Sequence, residues 1–132
     1  MNDIAVHPSP ATGGDSDQLA HERLDAYRVA LEFLATSQVL VARLPRTKGQ
    51  LGDQLARAAE SVVLRIAEGA GSEWRSPEQK RFFRSARGSV LECSAVLDIC
   101  RIRRVGSDAQ LERGRLLLLR LARMLTRLSR QG

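Results

Sequence analysis

The stretch SDAQLERGRLLLLRLARMLTRLSR, residues 107–130, decides the fold. Wound at about 100° per residue, it places Leu111, Leu117, Leu118, Leu121, Met124, Leu125 and Leu128 on one broad arc, wider than the seam of a coiled coil. Ser107 followed three residues later by Gln110 has the spacing of a capping box, which opens a helix by satisfying its first free N–H groups. Arg113, Arg120, Arg123, Arg127 and Arg130 lie opposite the apolar arc as a basic ridge, and Leu116 and Leu119 fall outside the arc. A helix with this much apolar surface needs other helices to cover it.

The preceding segments supply them. Ser76-Pro77-Glu78-Gln79 provides an N-cap, a proline at the first helical position and a glutamine at the third. The helix it opens is expected to run to about Arg104, with Phe83, Ala86, Val90, Cys93, Leu97 and Cys100 inward and Gly106 closing it. Upstream, Leu51, Leu55, Ala58, Val62 and Ile66 mark the inward row of a helix from about Gln50 to Glu68, which Gly69 and Gly71 are expected to stop. From about Asp17 to Arg43, Ala20, Leu24, Tyr27, Leu31, Leu34 and Val41 form the stripe of a first helix, and Pro45 and Gly49 bracket its turn. No segment alternates with the period of two that a strand requires. The expected fold is all-α, an antiparallel up-and-down four-helix bundle over residues 18–132, because connections this short cannot cross the length of a bundle. Residues 1–17, with Pro8, Pro10, Gly13 and Gly14 among small polar residues, read as a disordered tail.

A chain of 132 residues with 43% apolar side chains has room for one core and one domain. The first eighteen residues contain no Lys or Arg, so the net positive charge belongs to the bundle, where 21 basic side chains face 12 acidic ones. All the basic residues except Lys48 and Lys80 are arginine, whose planar guanidinium favours bidentate contacts to phosphate or carboxylate, although skewed genomic base composition gives the same bias. No apolar run approaches the roughly 20 residues that span a bilayer, and the N-terminus lacks a signal-peptide pattern, so a cytoplasmic protein without a membrane partner is expected. Cys93 and Cys100 are separated by about 10 Å of helical rise, too far to bridge, and read as reduced core residues.

Among candidate sites, the arginine ridge has two readings: it tracks the phosphates of a nucleic acid, or it is a solvated face whose arginines pair with acidic groups on a neighbouring subunit. Leu116 and Leu119 within it point to burial against another chain and hence to an oligomer. Gln54, Ser61 and Glu68, spaced by seven, form a polar row on the second helix. Arg65 stands where the stripe calls for an apolar residue and needs a carboxylate if buried, with Glu68 and Glu92 as candidates; the alternative is an arginine lining a channel or cleft. Trp74 beside Arg75 either stacks on a base or covers the end of the bundle. Catalytic patterns are missing. The only histidines, His7 and His21, cannot supply the Glu-x-x-His pairs of a di-iron bundle, the two cysteines lack a neighbouring histidine, and Gly69-Ala70-Gly71 lacks the lysine of a phosphate-binding loop. No enzyme, metal or cofactor is expected.

The run Gln54-Leu55-Ala56-Arg57-Ala58-Ala59-Glu60-Ser61-Val62, followed by Ile66-Ala67-Glu68-Gly69, resembles the second helix of the bacterial four-helix-bundle proteins encoded in intervening sequences of large-subunit ribosomal RNA genes. Phe83, Ala86-Arg87-Gly88-Ser89 and Glu92 agree with the third helix of that family, and the likeness extends from about Leu24 to Leu128. Arg65 departs from it, since the family pattern has asparagine before Ile-Ala-Glu-Gly. The resemblance implies assembly into a ring-like homopentamer. It also implies kinship with the accessory variability determinant of diversity-generating retroelements, a basic pentameric barrel that binds nucleic acid and a reverse transcriptase. The function expected is a non-enzymatic, self-assembling scaffold that binds RNA or DNA, and the kinship implies an accessory role to a reverse transcriptase. The alternative is a protein-interaction scaffold whose arginines serve assembly or an acidic protein partner.

Overall fold

The computed structural model describes residues 17–44 and 50–130. They form a short 3-10 helix, η1 (Ala20–Arg23), and four α-helices: α1 (Asp25–Arg43), α2 (Leu51–Gly71), α3 (Pro77–Arg103) and α4 (Asp108–Arg130). No strand occurs among the described residues. The expected tail, apart from Asp17, and the Pro45–Gly49 turn lie outside them. The result is an all-α four-helix bundle. α1 touches α2 and α4, and α3 touches the same two, while α1 and α3 do not meet, so these two helices occupy opposite corners of a square. The inward rows expected for α2, α3 and α4 are buried throughout, with Leu55, Ile66, Phe83, Ala86, Cys93, Cys100, Leu121, Met124 and Leu125 fully closed to solvent.

α1 departs from the expected stripe. The residues it buries are Ala26, Val29, Ala30, Phe33, Ser37 and Leu40, whereas Leu31 is 40% exposed and Tyr27, Leu34 and Val41 are only partly covered. The cause is a break at Leu24, whose extended backbone (φ −89°, ψ 129°) separates η1 from α1. A 3-10 turn advances about 120° per residue against 100° in an α-helix, so a stripe counted continuously from Ala20 arrives in α1 out of phase. Leu24 itself is buried, and the His21 ring meets Tyr27 edge-on across the break at 4.6 Å.

α2 also continues past its expected stop. Gly69 and Gly71 are helical, and the chain leaves the helix at Ser72 in an extended conformation, not through a left-handed glycine. Gly69 serves packing instead. A Cβ there would stand 2.7 Å from Cε1 of Phe83, so glycine is what lets that ring approach α2 this closely. The connection beyond is held by the buried Gln79, whose Nε2 donates to the Gly69 carbonyl at 2.9 Å while its Oε1 accepts from the Arg75 N–H at 2.7 Å. Ser76 caps α3 by accepting from the Gln79 N–H, as the sequence pattern requires. At the other end the cap falls at Arg104 in the left-handed region (φ 58°), the Val105 N–H returns to the Cys100 carbonyl, and Gly106, also at positive φ (85°), completes the turn.

Replacing Gly69 by alanine weighs two opposed effects. Alanine gains about 1 kcal/mol of helix propensity, but crowding a core aromatic ring costs about 1–3 kcal/mol. Net destabilisation of up to about 2 kcal/mol is expected in thermal unfolding, and a stabilised G69A protein would contradict this packing role.

Candidate nucleic-acid interface

The outward side of α4 is set by the burial of its inward arc: once Leu117, Leu121, Leu125 and Leu128 are committed to the core, Arg120, Arg123, Arg127 and Arg130 must face solvent, and all four are exposed. None of the four makes an ion pair with a described residue, and α4 carries no acid after Glu112. Arg113, the fifth member of the expected ridge, is different. Its Nη2 donates to Glu32 of α1 at 2.6 Å. Glu112 is flanked by Arg101 at 3.1 Å and Arg115 at 3.5 Å. The first turns of α4 are therefore charge-balanced by α1 and α3, and the last three turns are not.

At that unbalanced end, Ala122, Arg123, Thr126, Arg127 and Arg130 line an open cleft of about 380 Å³. Arg87 of α3 reaches it, donating through Nη1 to the Thr126 hydroxyl at 3.2 Å. Sequence reading did not place Arg87 with the ridge, because its relation to Thr126 exists only once the register of α3 against α4 is known.

The family-motif residues gather elsewhere. Gln54, Arg57 and Ser61 of α2 and Ser89 and Glu92 of α3 line an open groove of about 500 Å³, across which the Ser89 hydroxyl donates to that of Ser61 at 3.0 Å. Gly88 is exposed and open space surrounds the place of its Cβ. Arg65 pairs with Glu68 at 2.6 Å and not with Glu92, and both partners are more than a third exposed, so the charge carries no burial penalty. Leu116 and Leu119 are 52% and 38% exposed among the arginines. Trp74 packs against the core from the α2–α3 connection.

The two thiols are closed off. Burial, with the Glu92 carboxylate beside it, pushes the Cys93 thiol from 9.0 up to about 12, and burial raises Cys100 as well. Stability drawn from the neutral thiols is complete below pH 9 and falls as the pH rises toward 12, because only the unfolded chain then releases those protons. Both cysteines should resist alkylation at pH 8 and react only as fast as the bundle opens, as timed labelling in rising urea can show. Among the described residues no group of three His, Cys, Asp or Glu side chains is placed to hold a metal, and no helix is long and apolar enough to cross a membrane.

No curated protein matches the chain. A family model does, over residues 22–127, from η1 to the last turns of α4, taking in both the α2–α3 groove and nearly all of the arginine face. On that match the chain belongs to the 23S rRNA-intervening sequence protein family.

Proposed function

We propose that this protein is a non-enzymatic, self-assembling scaffold that binds nucleic acid through the unpaired end of the α4 arginine face. The observation that carries the reading is that Arg120, Arg123, Arg127 and Arg130 share one exposed face without an acidic partner among the described residues. Such a row neutralises phosphates and releases their counterions, which gives affinity without base readout. Arg113 and its Glu32 partner belong to the bundle more than to the ligand.

The bundle itself is read as antiparallel, up and down. Ser61 with Ser89 and Gly69 with Phe83 support this for α2 and α3, and Leu97 with Gly114 and Arg87 with Thr126 support it for α3 and α4. Exposed Leu116 and Leu119 support self-association, and family membership supports a homopentameric ring. Two buried free thiols suit a reducing cytoplasm. An accessory role beside a reverse transcriptase rests on the more distant kinship alone.

The test is a gel-shift titration with RNA and DNA duplexes and single strands at two salt concentrations, comparing the native protein with the R120E/R127E double variant. Native binding that weakens with salt and is lost in the variant supports the reading. Absence of binding at low salt, or equal binding by both proteins, sinks it. The protein-scaffold alternative is favoured by the ion pairs that already occupy Arg101, Arg113 and Arg115, and it predicts that the variant loses assembly with no change in binding.

A further inference from the structure

The two longest Lys- and Arg-free stretches within the helices are residues 29–42 of α1 and residues 88–100 of α3. α2 has Arg57 and Arg65 within it, and α4 has arginines along its length. Both cation-free stretches also carry a second apolar stripe that the core does not use. On α1 it runs Leu31, Ala35, Val39 and Ala42, and on α3 it runs Leu91, Ala95 and Ile99, continuing past the cation-free stretch to Ile102 between Arg101 and Arg103. Val39 is 49% exposed, Leu91 60% and Ile102 82%. α3 is consequently apolar on two sides, one inward and one outward.

Three facts together say what covers these stripes. The two helices sit at opposite corners of the bundle and their backbones do not approach, so the stripes face away from each other. Copies of a positively charged bundle repel wherever arginine meets arginine, and these are the faces where that repulsion is least. The stripes are also complementary in size. Phe33 of α1 and Leu97 of α3 both contact the Gly114 position, which fixes one layer of the bundle, and Leu40 against Gly106 fixes a later one with both helices advancing in the same direction. Counting from the first layer, Leu31 stands level with Ala95, Ala35 with Ile99, and Val39 with Arg103, next to Ile102. Rotation about an axis along the bundle preserves height, so in two successive layers a large residue meets a small one, Leu31 against Ala95 and Ile99 against Ala35.

We infer that the outward stripe of α1 on one copy packs against the outward stripe of α3 on the next, joining copies head to tail. Such a heterologous contact closes into a ring or extends as a filament, whereas a self-paired face stops at a dimer. It does not involve α2 or the Arg120 to Arg130 end of α4, and it brings that arginine face of every copy onto one wall of the assembly. The inference rests on the self-assembly part of the proposed function and not on its nucleic-acid part.

The experiment uses Val39→Cys and Ile102→Cys variants carrying different tags, expressed separately and together, purified and treated with a short bis-maleimide. A covalent dimer bearing both tags is expected from the mixture, and none from either variant alone; Cys93 and Cys100 are buried and give no background. The full-length V39R protein should keep its helical circular dichroism and fall in mass toward the monomer by light scattering. A native protein that is monomeric overturns self-assembly and this inference with it. An oligomeric native protein in which one variant cross-links alone, the mixture fails to cross-link, or V39R retains full mass overturns only the pairing of α1 with α3.

Discussion

Phe33→Ala is expected to lower the stability of the bundle by about 3–5 kcal/mol and its Tm by roughly 10–20 °C at fixed protein concentration. Phe33 is 1% exposed and lies in the layer where α1, α3 and α4 converge. Its ring and the Leu97 side chain share the space left by Gly114, where a Cβ would stand 3.5 Å from Phe33 and 3.1 Å from Leu97. Truncation therefore opens a cavity beside a residue with no side chain to lean in, and Leu97 can fill only part of it. The loss should sit near the upper end of what removal of a core aromatic costs, because sites that cannot collapse keep the whole cavity. Urea unfolding followed by circular dichroism measures it. A loss below about 1 kcal/mol would mean that α1 packs through Leu31 and Leu34, the register its sequence favours.

That register shows where the sequence was legible and where it was not. α2, α3 and α4 each begin at a clear signal or carry an inward row bounded by charged residues, so their periodicity has one solution, and burial follows it from Leu51 to Leu128. α1 has no charge between Val29 and Ala42 except Glu32, and apolar residues surround its axis, so more than one stripe fits. What selects among them is the extended Leu24, a backbone event with no glycine or proline to announce it. Gly69 was misleading for a related reason: a glycine near a helix end has the same signature whether it ends the helix or admits a ring from the next one. At the candidate site, the exposure of the arginines followed from the apolar arc alone. Their division into paired and unpaired members did not, because Glu32 lies on another helix and far along the chain from Arg113.

The division makes the charge-reversal experiment quantitative. In R120E/R127E each engaged copy loses two phosphate contacts and gains two repulsive charges, while the Arg113–Glu32 and Arg101–Glu112 pairs stay intact. Each contact with duplex DNA adds about 0.9 to the slope of log affinity against log salt, so two lost contacts alone account for roughly 10²-fold weaker binding at 0.1 M salt, and the added repulsion makes the loss larger. The slope should fall by about 1.8 for every copy that touches the duplex, and by about 1.4 for a single strand. R113A provides the internal contrast. Its guanidinium already has a carboxylate, so its removal should change the slope little and the stability by no more than about 1 kcal/mol, as for other exposed pairs. Equal losses in R113A and R120E/R127E would mean that the ligand senses only net charge, and the face at the end of α4 would then have no claim as a site.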